Sequence, residues 1–352
     1  MIHQENYLTY LPHSGFHNQR IALENAVFLA WFLNRTLIIP PLLMYKSRAL
    51  IPIGRSFEDL YNRLSKHTVC KNNSLENCQA ESYIRYNWEE LMDFTFLKQN
   101  IKYIYRQDFN FNHLIESLYI NNDAEIYNIS NSREQQYCDY NTSKFQKCVN
   151  LVELRRRSEK LLHFGSVFSS HKIIATLPEN RNFKTKLKQM MLPNNPTILS
   201  IANKIVDKIG GTNSFIGVHA RLGDSIFLKH QNMTVQNLIE TIQNDFKDID
   251  IKDGSACLPT KIFLATDKRD SESLRLFFQT FPCVHMLNDF DDLLEPLKSL
   301  KNPSDGTIMY EFLIPFVDLL VVSRGYKFYK TSSSTFSRYA GFLNRLWLDN
   351  LE

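Results

Sequence analysis

The run His219-Ala220-Arg221-Leu222-Gly223-Asp224 places an imidazole, a guanidinium, a glycine and a carboxylate side by side. Apolar Phe215-Ile216-Gly217-Val218 precede it and Ile226-Phe227-Leu228 follow it. The pattern is a buried strand that ends in a polar loop, and open α/β sheets bind ligands at their strand ends. A guanidinium that stays charged suits a phosphate or pyrophosphate. An Arg221–Asp224 pair that only pins the loop is the competing reading, and on this run alone the two weigh evenly. His219 ends the strand and is expected to act mainly through its backbone.

Two other loops carry groups of the same kind. In His13-Ser14-Gly15-Phe16-His17-Asn18-Gln19-Arg20, Gly15 allows a tight turn or a close approach to a ligand. Free N–H groups at the start of the next helix favour an anion. Asn18 is a cap for that helix or a ligand contact, and His13 and His17 are candidates for touching a sugar or accepting a proton. In Thr331-Ser332-Ser333-Ser334-Thr335-Phe336-Ser337 there are more hydroxyls than one helix cap needs, which favours an anion site at a helix start. Asp267 ends a further strand, as a helix cap or a ligand contact. Asp318 sits among Phe316, Val317, Leu319 and Leu320, where a carboxylate is costly unless paired. A structural arginine is its default partner and a guanine edge the alternative.

No dinucleotide fingerprint, Walker lysine motif, zincin pair or nucleophile elbow occurs. Asp-x-Asp occurs as Asp248-Ile249-Asp250 and as Asp289-Phe290-Asp291. The second follows a strand and is the better cation candidate, although an acidic surface loop accounts for it.

The elements that must position these loops alternate in type. Residues 7–11 read as a strand, 18–33 as a helix and 36–39 as a strand, a β-loop-α-β unit. Residues 42–195 are less regular: 65–82 and 121–147 read as cysteine-tied loops, and 151–168 has helical spacing. Pro193-Asn194-Asn195-Pro196 marks a boundary. Beyond it, helices at 198–209, 235–246, 271–280, 308–322 (broken or kinked at Pro315) and 335–348 alternate with strands at 215–219, 261–265, 283–287 and 326–329. The expected fold class is α/β: two Rossmann-like, doubly wound halves, residues 1–195 with an insertion at about 65–148 and residues 196–352, with a ligand cleft between them.

At 352 residues and 43% apolar content the chain can bury two cores, and a net charge of +4 gives no reason to expect nucleic acid. Arg155-Arg156-Arg157 reads as a solvated helix face. No apolar run reaches membrane-spanning length. No signal-peptide core is visible, and the chain enters a strand by Tyr7, so any targeting segment is expected to lie outside it. The six cysteines form three local couples, Cys70 with Cys78, Cys138 with Cys148 and Cys257 with Cys283, as disulfides in an oxidising compartment do. Sequons begin at Asn34, Asn72, Asn128, Asn141 and Asn232. Asn34, between a buried helix and a buried strand, is expected to stay unmodified.

In this order the loops resemble the GDP-fucose protein O-fucosyltransferase family across most of the chain. Gly15-Phe16-His17-Asn18-Gln19 looks like its N-terminal motif and His219 to Asp224 like its His-x-Arg-x-Gly-Asp motif. Ala265-Thr266-Asp267 resembles its third motif. Asp318 with Ser334-Thr335-Phe336 resembles its guanine- and phosphate-binding segment. The resemblance implies a GT-B fold and an inverting, metal-independent transfer of fucose from GDP-fucose to a protein Ser/Thr hydroxyl. Arg221 would hold the β-phosphate of the departing GDP, Asp318 would read guanine, Ser334 and Thr335 would hold phosphate oxygens, and Phe336 would pack near the base. Asn18 would face fucose and acceptor. His219, Gly223 and Asp267 would line the donor site, and Gly15 and Phe16 the first loop. No metal or other cofactor is expected.

Some relatives carry a glutamate base in the first loop, where this chain has Ser14. His17, His13 or Asp224 takes the proton, or no strong base is used. The His-x-Arg-x-Gly-Asp loop also resembles loops of α1,2- and α1,6-fucosyltransferases, so a glycan acceptor, a related deoxysugar donor and a weakly catalytic nucleotide-sugar-binding scaffold stay open. The expected setting is the lumen of the endoplasmic reticulum or Golgi, as a monomer that binds no nucleic acid.

Overall fold

A computed structural model describes residues 5–45, 60–62, 64, 83–129, 136–139, 148–168, 172–223, 225–247, 261–270 and 272–349. The chain divides into two compact units. The first is Met1–Asn194 with Pro303–Thr307, and the second is Asn195–Asn302 with Ile308–Glu352.

The first unit is built on a parallel sheet of β1 (Tyr7–Tyr10), β2 (Thr36–Ile39), β5 (Tyr103–Tyr105), β6 (Ile126–Ile129) and β9 (Leu161–Phe164), in the order β5-β2-β1-β9-β6. β3 (Leu42–Tyr45) and β4 (Tyr83–Tyr86) form an antiparallel pair. β7 (Gln136–Cys138) lies between β8 (Cys148–Asn150) and β10 (Lys172–Ile174) in a small parallel sheet. The chain steps outward from β1 to β2 to β5 and returns on the other side of β1. The strand order therefore reverses at β1, and its carboxyl end is a switch point. β1 is followed by the helix Phe16–Leu33, whose apolar residues from Ala22 to Ala30 are buried.

The second unit repeats the scheme. β11 (Phe215–Ala220), β12 (Lys261–Thr266), β13 (Val284–His285) and β14 (Lys327–Lys330) form a parallel sheet in the order β13-β12-β11-β14. The order reverses at β11, so residues 221, 267 and 331 leave the sheet at one end. All six residues of β11 are buried, as a central parallel strand requires. Gly217 is obligatory there: a Cβ would overlap the carbonyl oxygen of Val322, which ends the helix Tyr310–Val322 packed on this sheet. That helix continues unbroken across Pro315.

Three sequence expectations are corrected. The first helix begins at Phe16, with Gly15 at its N-cap, so Asn18 lies inside the first turn and is not the cap. The stretch 151–168 is a short helix, Leu151–Arg155, followed by β9, because Leu161-Leu162-His163-Phe164 is buried on both faces. The stretch 121–147 holds β6 and β7 as well as loop. Cys138 and Cys148 form a disulfide between adjacent β7 and β8. Cys283 is disulfide-bonded, while Cys70, Cys78 and Cys257 lie outside the described residues. Arg157 packs over Tyr127 and pairs with Glu159, so it belongs to no open basic face. Among the described residues no helix is long and apolar enough to cross a membrane.

Candidate functional site

In the second unit, parallel register brings three loops to one end of the sheet. His219 lies level with Ala265 of β12 and Lys330 of β14. The next residues are therefore neighbours and hydrogen-bond as such. Thr331 Oγ1 donates to the His219 carbonyl (2.8 Å) and accepts from the Arg221 N–H (3.0 Å). The Asp267 carboxylate accepts from Leu222 N–H (2.7 Å) and Gly223 N–H (2.9 Å). It also pairs with Arg221 Nη1 at 3.2 Å. Gly223 has no room for a side chain, since a Cβ would overlap the same carboxylate.

Among the described residues, Arg221 is oriented by Asp267. Asp224 lies outside the described residues. With 29% of its side chain exposed, Arg221 keeps a face for a ligand, and Asp267 holds its loop by three contacts.

The His219 side chain also takes part. Its Nδ1 shares a hydrogen bond with Ser337 Oγ (2.6 Å), and its ring stacks on Phe336 at 4.2 Å. Burial, aided by the nearby Arg221 charge, pushes its pKa down to about 3, so the imidazole is neutral at physiological pH. Ser337 Oγ also accepts from Thr331 N–H (3.2 Å). Ser334 Oγ accepts from Ser337 N–H (3.3 Å), and Ser334 O from Arg338 N–H (3.0 Å). Ser334 thus caps the helix Thr335–Asp349 and retains its hydroxyl proton for an acceptor. Ser333, exposed beside it, holds a left-handed backbone with φ 65°. Such strain at a non-glycine residue gathers at functional loops.

Asp318 is buried, and Arg269, two residues past Asp267, stands 3.7 Å from one of its oxygens. Its Oδ1 has no hydrogen-bond partner among the described residues. Burial outweighs Arg269 and raises the carboxyl pKa to about 7. A native protein rarely leaves a buried acceptor unsatisfied without a reason.

The first unit treats its loop differently. His13 is buried, with Nδ1 2.8 Å from Ser14 Oγ and Nε2 2.6 Å from Ser166 Oγ. It ties the loop after β1 to the loop after β9 and is not open to a substrate. The left-handed backbone falls on Ser14 (φ 63°), whereas Gly15 is extended. Gln19 is fully buried; its amide donates to Ser14 O and Leu43 O and accepts from Leu43 N–H. Phe16 packs against His17 and Trp88. His17 and Asn18 are half-buried, and Asn18 Oδ1 is buried with no hydrogen-bond partner among the described residues.

Residue-type reasoning alone missed Thr331, Ser337, Arg269, Gln19 and Ser166 as organisers. Thr331 and Ser337 had a signal, hydroxyls flanking the loop at both ends. Ser166 had none. Of the Asp-x-Asp residues, Asp289 is spent on the chain turn, accepting from Met286 N–H (2.8 Å). Asp291 is exposed, and Asp248 and Asp250 lie outside the described residues.

Comparison with known proteins gives three findings. The family model described as GDP-fucose protein O-fucosyltransferase matches residues 7–341. The sequence is 52% identical over 46 residues to O-fucosyltransferase 30 of Arabidopsis thaliana, a stretch that makes up 13% of this chain and 9% of that protein. In structure it is similar to a crystal structure of POFUT1 in complex with GDP, at TM-score 0.49 and 13% identity, covering 96% of this chain and 94% of that one. It is also similar to the fucosyltransferase NodZ from Bradyrhizobium, at TM-score 0.48 and 14% identity, covering 96% and 93%.

Proposed function

The chain belongs to the GDP-fucose protein O-fucosyltransferase family, and we propose that it transfers fucose from GDP-fucose to a Ser or Thr hydroxyl of a protein, with inversion and without a metal. The observation that carries this reading is the Arg221 guanidinium, held half-exposed by Asp267 at the switch point of the second sheet.

The roles follow from the chemistry of each group. Arg221 neutralises the β-phosphate as the bond to the anomeric carbon breaks, and stabilising the leaving group is the main lever on the barrier. Ser334 and Thr335, at a helix start, donate to phosphate oxygens. Asp318 accepts from guanine N1–H and N2–H, which satisfies its orphaned Oδ1. Phe336, backed by the His219 ring, flanks the base. Asp267 and Gly223 shape the loop. In the first unit, Gly15, Phe16 and Asn18 are the candidates for contact with a sugar or acceptor, and the buried Asn18 Oδ1 supports a hydrogen-bonding role for that residue.

His13 is committed to two serines, which leaves His17 and Asp224 as candidates for the acceptor proton. A second reading, a nucleotide-sugar-binding scaffold, draws on the same absence of a carboxylate from the first loop. The disulfide and the family support the lumen of the endoplasmic reticulum or Golgi as the compartment.

The test is release of GDP from GDP-fucose in the presence of a chelator, with and without candidate protein acceptors. Slow release alone and faster release with an acceptor are expected. A protein that binds GDP-fucose and never releases GDP is a scaffold, and loss of activity on chelation means that a metal takes part.

A further inference from the structure

Arg269 lies three residues past β12, in the loop that carries Asp267, with 39% of its side chain exposed. Asp318 belongs to the helix Tyr310–Val322, and only 10% of its side chain is exposed. Arg269 Nη2 stands 3.7 Å from Asp318 Oδ2, an ion pair too long for a hydrogen bond. An arginine placed only to neutralise a carboxylate closes on both oxygens with two parallel hydrogen bonds. Here one oxygen is approached at a distance, and Oδ1 has no hydrogen-bond partner among the described residues. Asp267 shows the contrast, since the N–H groups of Leu222 and Gly223 occupy both of its oxygens. Arg269 and Asp318 stay close, yet the acceptor is unspent and the guanidinium is open to solvent.

The order of these groups is a guanidinium donor, then Oδ2, then Oδ1: donor, acceptor, acceptor. The Watson–Crick edge of guanine runs O6, N1–H, N2–H: acceptor, donor, donor. The two edges are complementary position by position. Uracil offers O4, N3–H and O2, which sets a carbonyl against Oδ1. Adenine sets an amino group against the guanidinium and a bare ring nitrogen against the carboxylate. Both therefore meet at least one like-with-like contact that guanine avoids.

Resting on the donor reading proposed above, in which Asp318 accepts from guanine, we infer that Arg269 is a specificity-determining residue that donates a hydrogen bond to guanine O6. Asp318 takes N1–H and N2–H, and the two side chains together read the whole edge. A site built to hydrogen-bond a substrate group discriminates strongly against the analogue that lacks it. The bond from a guanidinium to O6 is charge-assisted and so among the stronger ones. If Arg269 were only a counter-ion of Asp318, its removal would weaken every guanine-like nucleotide alike. A direct contact with O6 predicts a loss that depends on the atom at position 6.

The test is calorimetric titration of GDP, 6-thio-GDP and IDP at pH 7 into the full-length wild type and into Arg269→Met. The thio analogue keeps N1–H and N2–H and replaces O6 with a weakly accepting sulfur. IDP keeps O6 and N1–H and lacks the N2 amino group. Methionine fills the place of the arginine stem and has no donor. The wild type is expected to bind 6-thio-GDP about tenfold more weakly than GDP, the worth of one charge-assisted hydrogen bond. In R269M that ratio is expected to fall to about one, while the preference for GDP over IDP, which belongs to Asp318, persists. The ratio is the readout, because losing a cation beside Asp318 weakens both nucleotides alike. Equal binding of GDP and 6-thio-GDP by the wild type overturns the assignment without any variant. A ratio that is unchanged in R269M overturns it too and reduces Arg269 to a counter-ion. Loss of the preference over IDP in R269M also overturns it, since Arg269 would then only seat Asp318. Each of these results leaves the donor reading standing, because GDP still binds. A wild type that binds no GDP contradicts the donor reading and this inference with it.

Discussion

The two units place polar loops at the carboxyl end of the strand where each sheet reverses, and they use them in opposite ways. In the second unit the cation at the strand end stays 29% exposed. Asp267 spends its oxygens on backbone N–H groups and on Arg221, so the charge is aimed outward. In the first unit the titratable group at the strand end, His13, is buried between Ser14 and Ser166. The first loop holds backbone shape, and the second presents charge. The fixed, partly exposed cation belongs to the second unit, while in the first the titratable group is buried and Asn18 keeps an amide oxygen without a partner among the described residues.

Four substitutions break or sharpen this contrast. The largest effect is expected for Arg221→Ala, which lowers turnover by about 10²–10³-fold and changes the melting temperature little, because the guanidinium is partly exposed. An unchanged rate would remove Arg221 from the mechanism. Asp318→Asn comes next. It weakens GDP binding by about 10–100-fold, the worth of one or two charge-assisted hydrogen bonds, and stabilises the free protein.

The sign of that second effect follows from linkage. A carboxyl with pKa raised from 3.8 to about 7 penalises the folded state increasingly as pH rises from about 4 to 7, and fully above. The gain from D318N is therefore largest above pH 7, at about 1–4 kcal/mol, and absent near pH 3, as a pair of thermal melts checks. Guanine needs the ionised carboxylate, so wild-type GDP affinity falls as pH drops below about 7. Flat affinity between pH 5 and 8 would argue against Asp318 as the base reader.

Asp267→Asn is expected to cost about tenfold in turnover, because Arg221 loses its partner while the backbone N–H groups keep an acceptor. An effect equal to that of R221A would make Asp267 itself a ligand contact. The smallest functional change is expected for Ser166→Ala. It removes one of the two His13 hydrogen bonds, costs about 1–2 kcal/mol in denaturant unfolding, and leaves GDP affinity unchanged. A weaker GDP affinity in S166A would blur the contrast between the units.

Much of the second unit was legible in the sequence. β11 and β12 are long apolar runs, and each ends abruptly in polar residues that meet at one end of the sheet. The pairing of Arg221 with Asp267 was not legible. Asp267, which meets the guanidinium, lies 46 positions away at the end of the neighbouring parallel strand, and which strand ends become neighbours is not written in local spacing. The burial of His13 was hidden for the same reason, since Ser166 lies 153 positions away. Residues 42–195 were hardest to read because their strands are three or four residues long, too short for periodicity to separate strand from loop. The first helix was placed two residues late because Gly15, which carries no side-chain cap, takes the N-cap in place of Asn18.

The most direct test of the central claim is calorimetric titration of GDP, UDP and ADP into the wild-type protein and into D318N at pH 8, with chelator present. Binding of GDP alone to the wild type, with that binding weakened at least tenfold in the more stable D318N protein, is the expected result. Equal binding of UDP or ADP, or a D318N protein that binds GDP like the wild type, would contradict the assignment of this site to a guanine nucleotide.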